Sequence, residues 1–336
     1  MHMKKIVPLV VSLLVGGALF GSPALPVSAA QAVLNPAAIV QTDAKGLVLN
    51  RKDQDAYIRR SLGANDDLAN YHFQAPQGWQ VKSENIQGVK TDHYTNPQAN
   101  SKRVLLDLHG GGYVLGLSEK YRLLTAKIGN IIDARDMYLP DYRLAPQYTY
   151  PAALEDAAAV YKALLKGGTP AQDIVVYGDS AGGNLALELS LYLKDNQLPQ
   201  PGALVLASPW TNLRSDSPSW QKNRSKDLIL GKGTPLYEEV QHSAYAGTLS
   251  YDDPRLSPVQ ADLSGLPPIL IQMGSDEIFL DDGVRLARKA AADDTKVTLT
   301  VYPTMSHDFA LVAPKLEQSR QSLIEIRDFV DQNVEK

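Results

Sequence analysis

An α/β fold with a mostly parallel central sheet flanked by helices is what this chain predicts, and three observations predict it. Short aliphatic runs alternate with longer helical patterns from residue 104 to the C-terminus, and such alternation places helices on both faces of a parallel sheet. Glycines cluster where strands give way to helices, at 110–112 and at 178, 182 and 183. The chain has no cysteine, so no disulfide framework holds it, and a mature chain of roughly 300 residues buries enough surface to be stable through its core alone.

The elements follow in order. Lys4 and Lys5 open a short basic start, residues 6–20 are apolar or small, and Val27-Ser28-Ala29 satisfies the small-x-small rule. Residues 1–29 therefore read as a secretory signal, too short in its apolar part to span a bilayer. The expected location is secreted or periplasmic, an uncleaved amphipathic anchor being the alternative; without cysteine there is no site for lipid attachment after the signal. Residues 30–336 then form one domain. Residues 36–77 read as one or two helices with a weak apolar face, and 79–81 and 89–91 as opening strands. Strand and helix alternate through 104–108, 120–131, 137–139, 151–165, 174–177, 181–194 and 203–207. The series resumes with 269–273, 284–292, 297–301 and 315–334.

Between them, residues 208–267 carry Trp210, Trp220, Tyr237, Tyr245 and Tyr251 without a strand pattern. Together with the N-terminal helices this excursion reads as a helical cap, formed by about 36–77 and 210–250; a surface excursion with aromatic anchors is the alternative.

Charge narrows the function. Removal of the signal leaves 31 basic against 37 acidic side chains, a net charge of −6. A mildly acidic chain without a basic cluster argues against nucleic acid and against an anionic membrane surface as partners. No metal-ligand spacing is present, so neither metal nor cofactor is expected; His72 and His93 read as surface or turn residues. No internal repeat is visible.

The chemistry lies in three places. Gly178-Asp179-Ser180-Ala181-Gly182 falls between the strand at 174–177 and the following helix. A G-x-S-x-G there is a nucleophile elbow: the glycines permit a turn too sharp for residues with a Cβ, and the serine hydroxyl is pushed out at the sheet's rim. Upstream, the strand at 104–108 runs into His109-Gly110-Gly111-Gly112-Tyr113. Its backbone N–H groups can meet a developing oxyanion, as the H-G-G-G loops of lipases and esterases do, joined by the residue after the nucleophile. The donors are then Gly111, Gly112 and Ala181; a flexible turn or a phosphate loop is the other reading, but Tyr113-Val114 does not supply the Gly-Lys-Ser/Thr of the latter.

The serine needs a base and an acid, in the chain order Ser, Asp or Glu, His. Of the two histidines after Ser180, His307 follows a strand and His242 lies in a Tyr- and Glu-rich helical stretch, so His307 is the base. Asp276 leaves the strand at 269–273 and is the chosen acid. Glu277, Asp281 and Asp282 are rivals, the last two at a helix start, where acids ordinarily serve the dipole.

These blocks resemble the bacterial hormone-sensitive-lipase-like esterases of the α/β-hydrolase superfamily, from about Val104 to Phe309. The resemblance includes Asp141-Tyr142-Arg143-Leu144-Ala145-Pro146, Pro151-Ala152-Ala153-Leu154-Glu155-Asp156 and Ser208-Pro209-Trp210. It implies an α/β-hydrolase fold with Ser180, Asp276 and His307 as triad, Gly111, Gly112 and Ala181 as oxyanion hole, and His109 as a loop-shaping residue. It further implies hydrolysis of short- to medium-chain acyl esters, with a small-molecule ester and water as the reacting partners. Tyr113 and Trp210 are candidates for the acyl pocket, or equally packing residues. One departure is Gln147, where the family's block usually continues with Glu. Arg143, Glu155 and Asp156 read as scaffold charges. An amide, formamide or lactone hydrolase on the same scaffold is an alternative, as is a non-catalytic binder like the plant gibberellin receptor, which lacks the histidine. Fold-level analogy points to a homodimer.

Overall fold

Four strands are buried at every residue: β3 (Val104–Leu108), β5 (Ile174–Asp179), β6 (Ala203–Ala207) and β7 (Ile269–Gly274). Such mostly apolar runs belong to parallel strands covered on both faces. The computed structural model describes residues 45–62 and 72–336, and in it these four join β1 (Gln80–Ile86), β2 (Val89–Thr95), β4 (Asp136–Pro140) and β8 (Val297–Tyr302) in one sheet. The order is β1-β2-β4-β3-β5-β6-β7-β8. The six strands from β4 to β8 run parallel, whereas β2 is antiparallel to both of its neighbours.

Neighbouring residues divide the core between the two faces, as the two-residue period of a strand requires. Leu105, Val175, Val205 and Leu270 pack with Leu124 and Ile128 of α2 (Glu119–Ile131) and Leu323, Ile326 and Val330 of α9 (Glu317–Asn333). Leu106, Val176, Leu204 and Ile271 face the other way, in the cluster that holds α3 (Ala152–Lys166), α4 (Ser180–Asp195) and α7 (Leu280–Ala292).

Several boundaries depart from the expected ones. The opening strands are longer, because Gln87 and Gly88 both take positive φ, 52° and 94°, the backbone of a tight hairpin turn. The last helix begins at Glu317, and a separate short helix, α8 (Phe309–Val312), precedes it.

Among the described residues, 208–268 contain no strand but two short helices, α5 (Pro218–Asn223) and α6 (Tyr237–Gln241), with single 3-10 turns. Trp220 and Tyr245 are buried there, while Tyr237 and Tyr251 are half-buried. Of the N-terminal segment, α1 (Arg51–Leu62) packs Tyr57 and Ile58 against Leu228, Met305, Phe309 and Val312. It thus lies on the loop that follows β8. Residues 1–29, expected to be an export signal, lie outside the described residues, as do 36–44 and 63–71 of the N-terminal segment.

Candidate active site

Ser180 is the first residue of α4, directly after β5, with φ at 52°. That is a left-handed backbone which a residue with a Cβ rarely adopts and which marks a strained turn. The turn closes only because its neighbours lack side chains. A Cβ on Gly182 would run into the carbonyl of Leu108, and one on Gly178 into the carbonyl of Gly182. The sequence therefore sets α4 hard against β3 and its glycine loop.

His307 lies in the loop between β8 and α8, and its Nε2 is 2.8 Å from Ser180 Oγ. The carboxylate beside the imidazole is a different one from that expected. Glu277 Oε2 lies 3.4 Å from His307 Nδ1, whereas the buried Asp276 carboxylate pairs instead with Arg51 of α1. The physical reason lies in the turn after β7. Ser275 and Asp276 bond their N–H groups to the carbonyls of Tyr302 and Met305 (2.9 and 3.0 Å), and the chain then curls. Glu277 is fully buried, and its Oε1 accepts from the backbone N–H of Gly274 and from Ser208 Oγ at 2.7 Å. Asp276 thus gives way to Glu277 at the imidazole.

The two late rivals stand in the first turn of α7, as expected of acids that serve a helix dipole, and they also bind neighbours. Asp281 accepts the Ser219 N–H at 2.7 Å, and Asp282 accepts Ser217 Oγ and Asn212 Nδ2, so both tie the 212–219 segment to the start of α7.

The glycine loop meets its geometric expectation. Gly111 and Gly112 have φ of 103° and 65°, open mainly to glycine. Among the described residues their N–H groups donate to no protein acceptor. Ala181 lies in the first turn of α4, where N–H groups lack an intrahelical partner and the helix dipole favours negative charge. Asp179 locks the loop to the elbow by accepting the Gly110 N–H at 3.1 Å and Tyr121 Oη at 3.3 Å. The His109 ring stacks on Tyr142, 4.2 Å between centroids, and burial pushes it down to about 4. It is therefore neutral near pH 7, fitting a loop-shaping role.

Electrostatics at the histidine are unusual. Burial alone depresses the imidazole, but the carboxylates of Asp308 and Glu277 overcome it and hold His307 well above its ordinary value. Burial raises Glu277 against the opposing pull of His307 and the Gly274 N–H. Asp227 is raised by burial as well, partly offset by His307 and by the N–H groups of Ile278, Leu230 and Ile229.

Tyr113 and Trp210 are both sealed inside the protein, with no exposed surface. Tyr113 donates to Asn184 Oδ1 at 2.8 Å and stacks on Tyr245 at 3.7 Å; Trp210 stacks on Phe279 at 5.9 Å. Neither offers a face to a substrate, so both are packing residues that brace the loop and the turn. Arg143 bonds Asp156 and Glu155 as a scaffold pair. Gln147 is exposed, so the departure there touches no buried contact.

His93 sits on β2, not in a turn, between Glu84 and Asp136 at 2.8 and 2.9 Å, while His242 is exposed. Among the described residues no group of three or more His, Cys, Asp or Glu side chains could hold a metal ion, and no helix is long and apolar enough to cross a membrane. Ser208, which couples the acid to the histidine loop, was visible in the sequence only as part of Ser208-Pro209-Trp210.

Comparison with known proteins agrees with this geometry. The alpha/beta hydrolase fold family matches residues 105–311. An esterase of Acinetobacter venetianus is 35% identical over 250 residues, covering 74% of this chain and 81% of its own. An acetyl-hydrolase of Streptomyces hygroscopicus is 36% identical over 239 residues, covering 70% and 78%. Among solved structures, an esterase from the bacterial hormone-sensitive lipase family superposes with a TM-score of 0.76 at 30% identity, over 85% of this chain and 99% of that one. EstE5, from a crystal soaked with p-nitrophenyl butyrate, superposes with a TM-score of 0.72 at 29% identity, over 92% and 99%. With serine and histidine in contact at a strand-to-helix elbow, the chain belongs to the α/β-hydrolase family and, within it, to the hormone-sensitive-lipase-like esterases.

Proposed function

We propose that this protein hydrolyses short- to medium-chain acyl esters through an acyl-enzyme on Ser180, with His307 as base and Glu277 as the acid that orients it. The observation that carries the reading is the 2.8 Å separation of His307 Nε2 from Ser180 Oγ, beside a glycine loop with unused N–H groups. His307 removes the serine proton as the hydroxyl attacks the ester carbonyl. Glu277 keeps the remaining ring proton on Nδ1 and stabilises the imidazolium. The oxyanion meets the N–H groups of Gly111, Gly112 and Ala181, where one lost donor costs about 10²–10³ in turnover. His307 then protonates the leaving alcohol, and water, activated by the same imidazole, releases the acid.

A short acyl group is supported by the names of similar proteins, an acetyl-hydrolase and an esterase soaked with a butyrate ester. The packing of α1 on the histidine loop supports the N-terminal segment and 210–250 as a cap, and the pattern of residues 1–29 supports export. The test is hydrolysis of p-nitrophenyl esters from acetyl to longer acyl chains, by the parent and by Ser180→Ala. The parent is expected to favour the short chains, and Ser180→Ala to fold normally and hydrolyse none. Unchanged activity in that variant contradicts the serine assignment. A parent that prefers long acyl chains contradicts the substrate class alone.

A further inference from the structure

His307 touches two carboxylates, one on each ring nitrogen. Glu277 takes Nδ1, while Asp308 Oδ2 lies 3.1 Å from Nε2, the nitrogen that Ser180 Oγ meets at 2.8 Å. The orienting acid of a triad belongs on the far nitrogen; a carboxylate on the reacting one is an additional feature. Nor is Asp308 there by looseness. Its backbone is left-handed, with φ at 47°, and its N–H donates to Ser208 Oγ at 3.1 Å, the hydroxyl that also donates to Glu277. One serine thus holds both acids in place around the ring. Asp308 Oδ1 is buried and has no protein partner. The residue borders a cavity of about 10 Å³, with Asp179, Tyr177 and Gln272 also in its wall, room for about one water molecule.

The chemistry of that contact depends on the proton. When Nδ1–H faces Glu277 and the ring is neutral, Nε2 presents a lone pair, which accepts from Ser180 and repels a carboxylate. When the ring is doubly protonated, Nε2–H donates to Asp308, and the serine has no base. We propose that Asp308 holds the proton on the reacting nitrogen of His307 between catalytic cycles and so sets the acid limit of this enzyme's activity.

Among the described residues, the groups that meet the ring or its field are polar or acidic. Ser180 approaches from α4, Glu277 from the turn after β7, Asp227 from the 224–231 segment and Asp179 from β5. Tyr121 of α2 and Tyr177 of β5 lie within the field of Asp308. During turnover the serine proton passes to Nε2 and on to the leaving alcohol. Asp308 steadies the imidazolium formed in between, at the cost of steadying it in the resting enzyme too.

The inference rests on the Ser180–His307 reading, and the experiment separates the two. Asp308→Asn removes the charge and keeps a residue that tolerates the left-handed backbone. In kcat/KM for p-nitrophenyl acetate against pH, the acid limb is expected to move down by about one to three pH units, as loss of an opposite charge within ~4–6 Å does. The alkaline plateau is expected to stay level or fall, because the imidazolium loses a partner in the transition state. A merely structural residue would lower the rate at every pH without moving the limb. Asp308→Gly, which also suits the backbone, carries the same expectation if Asp308→Asn folds poorly. A limb unmoved in both variants, with Ser180→Ala inactive, overturns the role of Asp308 alone; an active Ser180→Ala overturns the triad reading as well.

Discussion

Glu277→Gln and Asp276→Asn differ by one position and are expected to differ by orders of magnitude in effect. Glu277 Oε2 lies 3.4 Å from His307 Nδ1, with both groups fully buried. At that separation and an effective dielectric constant of about 20, a charge pair contributes about 5 kcal/mol. The amide keeps a dipole and Ser208 remains beside it, so the expected loss is about 3–5 kcal/mol, or about 10²–10⁴ in kcat. Glutamine can also present its NH₂ to Nδ1, which favours the wrong tautomer. Asp276→Asn removes only the ion pair to Arg51, itself 42% exposed, worth about 0–1 kcal/mol, and is expected to leave kcat within about tenfold. The assay is steady-state hydrolysis of p-nitrophenyl acetate by both variants, with thermal unfolding to confirm that each is folded. If Asp276→Asn loses several orders of magnitude and Glu277→Gln does not, the reasoning from the turn after β7 is wrong.

Three further outcomes follow from the same geometry. Gly111→Ala would set a Cβ 2.9 Å from Leu115 on a backbone with φ of 103°, so the loop must shift; turnover measured on the same ester is expected to drop about 10²–10³-fold. Arg51→Ala should leave kcat within about threefold, because its side chain is 42% exposed and touches neither Ser180 nor His307; kinetics and a melting curve check this together. Burial pushes Asp107 up to about 7, against about 3.9 unfolded. The folded protein therefore binds the extra proton across that window, and this residue's contribution to stability falls as pH rises through it. Asp107→Asn should accordingly gain in melting temperature relative to the parent between pH 5 and pH 8; a difference that does not change with pH counts against the assignment.

What could be read from the sequence was local. Ser180 and the glycine loop declare themselves because an elbow and a bare-amide loop need particular residues in particular consecutive places. His307 follows from its position at the end of β8. The sheet's core strands were legible because both of their faces are buried, leaving mostly apolar runs. The choice between Asp276 and Glu277 was not local. It depends on how the chain curls after β7, on hydrogen bonds to Tyr302 and Met305, and on Arg51, 225 residues away. The two readings of Tyr113 and Trp210 could not be separated for the same reason: Tyr245 and Phe279, which cover them, come from distant segments. Asp282 is the helix-start charge it looked like, but its burial against Ser217 and Asn212 depends on a distant segment. Asp308 gave no signal beyond standing next to the histidine, since only the left-handed backbone carries its carboxylate to Nε2.

The central claim is that Ser180 is the nucleophile, and covalent trapping tests it most directly. The protein would be treated with a p-nitrophenyl phosphate triester and examined by intact and peptide mass spectrometry, with residual esterase activity followed alongside. The account predicts one dialkylphosphoryl adduct per chain, on the peptide containing Ser180, formed in step with the loss of activity. Full activity with no adduct at Ser180, or inactivation with the adduct on another residue, would contradict it.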